Sequence, residues 1–217
     1  MMDDAVTFAP YDRDNVYLSA QQLGCQRGGR LLFQRLDFEL EAGQAAALTG
    51  MNGSGKTSLL RMIAGLLPVA SGKLKTPSNM SMHYIAHQSG LSPRLTVSEI
   101  LSFWKNWLSV GASQAMGVEA ALAYLGLAAQ ADFMSGDLSA GQMRRLALAR
   151  LLVAPRPIWL LDEPANALDT TAQKQLQNLI KNHLDANGLV VMATHDQPPY
   201  IGQNIQLPEL GGQLHGV

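Results

Sequence analysis

Charge is scarce in this chain. Only 15% of its 217 residues are Asp, Glu, Lys or Arg, against about a quarter in an average soluble domain, while 47% are hydrophobic. That balance excludes a disordered or coiled-coil chain. Neither sign of charge dominates: 16 basic and 17 acidic residues leave a net charge of -1, which argues against a nucleic-acid binder working by bulk electrostatics. A single cysteine, Cys25, excludes an intrachain disulfide framework and a Cys-rich zinc site, and reads as a small buried hydrophobe. There is no Cys-x-x-Cys-His for covalent haem attachment. No apolar run approaches the roughly 18 residues of a membrane span. The start, Met1-Met2-Asp3-Asp4, is acidic and lacks the apolar block of a secretory signal. The expectation is a cytoplasmic chain with a core large enough to need no staples, and with room on its surface for a partner.

Strand and helix patterns alternate along the chain. Residues 1–15 are polar around Pro10 and read as a loose tail. Val16 to Gln22 reads as a strand, Gly28-Gly29 as a turn, and Leu36, Phe38 and Leu40 alternate with acids as a half-exposed strand. Ala45 to Thr49 reads as a buried strand, Thr57 to Ala64 as a helix, Pro68 and Ser71-Gly72 as breakers, and Met80 to Ala86 as a strand. From Val97 to Leu127 the texture is helical, with Leu101, Trp104 and Leu108 on one stripe. Gln142 to Ala154 reads as a helix apolar nearly all round, stopped by Pro155 and Pro157. Ile158 to Leu161 and Leu189 to Thr194 read as strands around a helix from Thr171 to Leu184. This order predicts one α/β domain over 1–217, with a mainly parallel sheet and a helical insertion over about 95–137.

The most specific motif is Gly50-Met51-Asn52-Gly53-Ser54-Gly55-Lys56-Thr57, a G-x-x-x-x-G-K-[ST] match leaving a strand and entering a helix that continues with Ser58. Its glycines let backbone N–H groups turn inward on phosphate oxygens. The helix N-terminus adds positive potential. Lys56 reaches the β- and γ-phosphates of a nucleoside triphosphate, and the Thr57 hydroxyl faces Mg²⁺. Further on, Ile158 to Leu161 run into Asp162-Glu163-Pro164, so an acid ends a parallel strand, where ligands bind in open α/β sheets. Asp162 is the expected Mg²⁺ ligand, and Glu163 a candidate base for the attacking water. Leu138-Ser139-Ala140-Gly141-Gln142 precedes a buried helix. By itself such a pentapeptide is a helix cap; it also forms a second anion cradle.

With these elements in this order, the chain from about Val16 onward resembles the ATP-binding cassette (ABC) ATPases, a P-loop NTPase fold with an N-terminal antiparallel β part and a helical subdomain. The family signature is Leu-Ser-Gly-Gly-Gln, and Ala140 departs from it at the third place. The resemblance assigns Gln88 to the glutamine loop, as a catalytic residue and a ligand of Mg²⁺. It assigns Asp169, in Ala167-Leu168-Asp169, to the D-loop, and His195 to the switch histidine at the γ-phosphate. It implies a head-to-tail homodimer in which each ATP lies between one subunit's phosphate loop and the other's Leu138–Gln142, with Asp169 crossing the dimer. The aromatic residue that usually stacks on adenine is missing; its place falls near Arg27, which either stacks through its guanidinium or is simply solvated.

Within that family the chain is most similar to the ATPase subunits of bacterial cytochrome c maturation, the haem exporter ATP-binding proteins. The similarity lies in Cys25-x-Arg27 ahead of Leu31-Leu32-Phe33, in His87-Gln88-Ser89-Gly90 with Arg94-Leu95-Thr96 and Glu99-x-Leu101, and in Arg144-Arg145 to Leu151. It implies integral membrane partners, a peripheral place on the cytoplasmic side of the inner membrane, and ATP use tied either to haem export or to release of a loaded haem chaperone. Met80-Ser81-Met82-His83 offers possible axial ligands for haem, but Met80 and Met82 alternate as a core strand would, so haem is assigned to the partners. An exporter of lipid, polysaccharide or drug is the alternative. A soluble nucleotide-gated clamp ranks lower, because the chain has one cassette and no sustained heptads. Phe103 and Trp107 lie off the Leu101 stripe and are expected to face outward.

Overall fold

A computed structural model describes residues 6–78, 81–87, 90–108, 115–194 and 200–207. Two sheets organise it. Strands β1 (Tyr17–Arg27), β2 (Arg30–Glu41) and β4 (Ser71–Lys75) form an antiparallel sheet in the order β2-β1-β4. Strands β3 (Ala45–Thr49), β5 (Met82–Ile85), β6 (Ile158–Asp162), β7 (Leu189–Ala193) and β8 (Gln203–Gln206) form a parallel sheet in the order β5-β6-β7-β3-β8. The expected α/β architecture is present, with these differences in detail.

β1 runs five residues beyond the expected Gln22 because register shifts follow Ala20, Leu23 and Cys25. Each bulge breaks the two-residue alternation from which a strand is read. Ser71-Gly72, expected to break the chain, instead opens β4. Gly72 sits at φ +81, and any side chain there would collide with the backbone of Gln21 and Gln22, so the glycine permits close strand approach. The strand expected over Met80 to Ala86 is the shorter β5, and Met80 lies outside the described residues.

β6 and β7 are buried throughout, as strands covered on both faces must be. Alternate residues serve two cores. Ile158, Leu160, Leu189 and Val191 pack with α1 (Lys56–Ile63) and the antiparallel sheet. Trp159, Leu161, Val190 and Met192 pack with α4 (Ala140–Val153), α5 (Thr170–Asp185) and the helical segment. By the same parity Asp162 faces α1.

The single helical texture from Val97 to Leu127 resolves into α2 (Val97–Leu108) and α3 (Val118–Tyr124), both packed on α4. A bridge between Thr96 and Met134, with Ser135 N–H bonded to Leu95 O at 2.9 Å, brings the two ends of this segment together. Helix α4 starts two residues earlier than expected, capped by Ser139.

The loose tail expected over 1–15 is overturned for its described part. The Asn182 side chain donates to Val6 O at 2.7 Å, and Tyr11 N–H donates to Ala186 O at 2.8 Å. Phe8 meets the rings of Trp159 and His183 edge-on, while Trp159 and His183 stack at 3.7 Å. A few apolar residues among polar ones dock this strap onto α5, a pattern too short to show periodicity.

Burial pulls the His183 imidazole down to about 3, and burial with the Arg150 charge holds His83 well below the ordinary histidine value. Between pH 6.5 and 3 the unfolded chain therefore binds protons that the folded chain does not. The contribution of His183 is full above pH 6.5 and falls as pH drops toward 3, by about 1.4 kcal/mol per pH unit, and His83 acts in the same direction. Urea unfolding at pH 7, 6 and 5 should show a falling midpoint; equal midpoints would contradict the neutral burial of these rings.

Candidate functional site

The phosphate loop follows β3 directly. Gly50, Gly53 and Gly55 take φ of +138°, +80° and +109°, a conformation closed to most side chains. Gly55 is doubly required, since a Cβ there would lie 3.0 Å from the Phe33 ring. Met51, Asn52 and Gly53 are exposed at the loop tip, whereas Gly55, Lys56 and Ser58 are buried. The Lys56 ammonium donates to the carbonyls of Gly50 at 2.7 Å and Met51 at 3.1 Å, which holds it across the loop. The Thr57 hydroxyl donates to Asp162 Oδ2 at 2.9 Å and so joins the loop helix to the end of β6.

A cleft of about 370 Å³ opens over these groups, lined among others by Arg27, Leu32, Lys56, Thr57, Asp162 and Glu163. Cys25 is fully buried, and burial pushes its thiol up; it plays the core part expected of it. Asp162 is only 3% exposed, and its Oδ2 accepts the Thr57 hydroxyl.

Glu163 adopts φ +49°, unusual for a residue with a side chain. Its contacts among the described residues include three that help define its place. Its N–H donates to Ala193 O at 2.9 Å, Asn166 Nδ2 donates to its Oε2 at 2.7 Å, and His87 Nδ1 lies 3.6 Å from the same oxygen. Asn166 was not singled out by sequence reasoning, and its short polar side chain in a turn carries no signal of its own. In sequence, Arg144 stands out only as part of the family-like stretch from Arg144-Arg145 to Leu151. It is 4% exposed and donates to the carbonyls of Ala86, Asp162 and Pro164. The signal in sequence is charge on a helix apolar nearly all round, and Arg144 shares it with Arg145 and Arg150.

Leu138–Gln142 forms a reciprocal cap. Ser139 Oγ accepts from Gln142 N–H at 3.3 Å, and Gln142 Oε1 accepts from Ser139 N–H at 2.9 Å. Ala140 is exposed, so its methyl costs nothing, whereas a Cβ on Gly141 would stand 2.7 Å from Ala167 O. Asp169 caps α5 by accepting from Ala172 N–H at 2.8 Å and pairs with Arg145, both within its own chain. None of residues 138–142 lines the cleft, nor does Asp169. The phosphate loop, Asp162 and Glu163 are thus brought together, and the second cradle is not. Gln88 and His195 lie outside the described residues.

The sequence profile of the ABC transporter family matches residues 33–166, from β2 through the acidic pair. The Cytochrome c biogenesis ATP-binding export protein CcmA of Rhodopseudomonas palustris (strain BisB5) is 46% identical over 83% of this chain and 92% of its own length. The protein of the same name from Rhizobium johnstonii is 41% identical over 93% of this chain and 99% of its own. The chain belongs to the ABC transporter family, among the cytochrome c biogenesis ATP-binding export proteins. A solved ATP binding subunit of an ABC transporter superimposes with a TM-score of 0.74 at 18% identity, over 83% of this chain and 80% of that one, which shows the shared fold. This ABC ATPase is accordingly a nucleotide-binding, ATP-hydrolysing transporter subunit.

Proposed function

We propose that this ABC ATPase powers an exporter of c-type cytochrome biogenesis, as a homodimer seated on the cytoplasmic face of the inner membrane against integral membrane subunits. The relatives' names support the pathway. No helix among the described residues is long and apolar enough to cross a membrane. The single observation that carries the chemistry is the Thr57–Asp162 hydrogen bond, which gathers a hydroxyl and a buried carboxylate beside Lys56 and Glu163 in one cleft. Two hard oxygen donors suit Mg²⁺, which typically takes one or two protein ligands and keeps water and phosphate oxygens for the rest. Thr57 and Asp162 would hold it, with Gln88 as the expected third group. When bound, the ion neutralises charge on the β- and γ-phosphates.

In this reading the N–H groups of residues 50–58 cradle the phosphates of ATP, Lys56 binds the β- and γ-oxygens, and Arg27 covers the base. Glu163 accepts a proton from the water that attacks the γ-phosphorus. His195 contacts the γ-phosphate, and the partner's copy of Leu138–Gln142 closes the site, with Asp169 near the crossing. Haem is left to the membrane subunits. Met82 is core, and His83 is buried with its Nε2 2.5 Å from Ala154 O, in keeping with that assignment.

The face toward the membrane subunits is assigned to α2. Val97, Ile100 and Leu101 turn inward and Trp104 lies under the Arg150 guanidinium, whereas Phe103 and Trp107 stack on each other at 5.6 Å, 54% and 67% exposed. Exposed paired aromatics are frequent interface anchors. Trp107→Ala is expected to keep its ATPase activity when isolated and to lose co-purification with the membrane subunits. A folded variant that binds them with unchanged affinity would remove α2 from the interface.

A further inference from the structure

Arg144 presents an arrangement that neither the phosphate-loop chemistry nor the family motifs account for. It lies on α4, which begins with the Ser139 cap, and its side chain runs inward rather than out to solvent. All three guanidinium nitrogens are used. Nε donates to Pro164 O at 3.1 Å, Nη1 to Ala86 O at 2.7 Å, and Nη2 to Asp162 O at 2.6 Å. The planar fork of an arginine can serve three diverging carbonyls at once; an ammonium on a flexible stem cannot.

These carbonyls are not scattered. Asp162 and Pro164 flank Glu163 in the chain, so the peptide group just before Glu163 and the one just after Pro164 are tied to one side chain. The Glu163 N–H is held in turn by Ala193 O. This is the setting in which a non-glycine residue keeps φ +49°, because such a backbone persists only where its surroundings over-determine it. The third carbonyl, Ala86, precedes His87, whose ring stands 3.6 Å from the Glu163 carboxylate. Burial pulls the guanidinium below the ordinary arginine range, while the Asp162 and Glu163 charges raise it again, so those two carboxylates help to offset the cost of burying the cation.

We propose that Arg144 is a positioning residue for hydrolysis: it holds the Asp162–Pro164 turn so that the Glu163 carboxylate stands where the attacking water must be deprotonated. This rests on the reading of Glu163 as the base. Because Arg144 rides on the helix that begins at Leu138–Gln142, any shift of α4 as that segment seats on the partner's nucleotide reaches Glu163 through one side chain. A misplacement of about 1 Å at a reacting group is enough to cost about 10²-fold in rate.

The test uses the full chain with Arg144→Met, Arg144→Lys, Glu163→Gln and the double variant Arg144→Met/Glu163→Gln. The readouts are thermal unfolding, binding of a fluorescent ATP analogue, and kcat and KM for MgATP well below each unfolding midpoint. Arg144→Met should bind nucleotide within about 3-fold of wild type and lose about 10²-fold in kcat with little change in KM. Arg144→Lys, which keeps the charge but not the fork, should fall between the two. The double variant should be no slower than Glu163→Gln alone, because groups acting through one another are not additive. A kcat for folded Arg144→Met within about 3-fold of wild type, or a double variant slower by the product of both losses, would overturn the proposal and leave a purely structural arginine. If Arg144→Met does not fold, Arg144→Lys decides: a loss of about 10-fold or more in kcat at unchanged KM supports positioning, and wild-type kcat refutes it. Full activity in Glu163→Gln itself would instead refute the base, independently of what Arg144 does.

Discussion

Glu163→Gln is expected to bind ATP as the wild-type chain does and to lose about 10²–10⁴-fold in turnover, the usual cost of removing a general base. The amide keeps the length and shape of the side chain, and its oxygen can still accept from Asn166, which donates to Glu163 at 2.7 Å. The left-handed backbone is held by the Glu163 N–H and the flanking carbonyls, none of which the substitution touches. What disappears is a group able to take the proton of the attacking water. ATP should then persist in the site, and an ATP-bound dimer should accumulate. Steady-state phosphate release together with light scattering in ATP reads both effects, and a kcat within a few-fold of wild type would remove Glu163 from the role of base.

Ser139→Phe is expected to abolish hydrolysis while leaving nucleotide binding to the isolated chain unchanged. Ser139 is exposed and caps α4, so the substitution removes one cap bond, a loss of about 1 kcal/mol that a buried 14-residue helix tolerates. Its own cleft is untouched, because no residue from 138 to 142 lines it. In the proposed dimer, only a nucleotide brought by a second copy would meet the new ring. Binding of a fluorescent ATP analogue and turnover should therefore separate: affinity as in wild type, and kcat lower by about 10²-fold or more as the second cradle is displaced. Loss of both together would place the segment at its own chain's nucleotide.

Much of the site was legible in the sequence because its chemistry is local. The phosphate loop needs glycines, a lysine and a hydroxyl in one contiguous run between a strand and a helix. Asp162 announces itself as an acid at the end of an apolar strand. The core strands were legible for a related reason: β6 and β7 are covered on both faces and so read as unbroken apolar runs.

What escaped depends on distant parts of the chain. β8 buries only Ile205 among its polar residues, since an edge strand paired on one side needs little more. β4 opens on a Ser-Gly pair that reads as a turn until β1 is placed against it. The strap over residues 6–15 is held by Asn182, Trp159 and His183, far away in sequence. Arg144 serves three carbonyls that come together only when β5, β6 and α4 are assembled. Single residues whose partners are brought by folding leave no spacing to read.

The central claim is that each ATP is hydrolysed between two copies of this chain, one giving Lys56, Asp162 and Glu163 and the other Leu138–Gln142. It is tested most directly by mixing Lys56→Ala with Ser139→Phe, each inactive alone. A mixed dimer holds one site with both defects and one with neither, so ATP hydrolysis should return on mixing and increase as the two variants approach equal amounts. Hydrolysis by Ser139→Phe alone at the wild-type rate would contradict the claim, since one chain would then complete its own site.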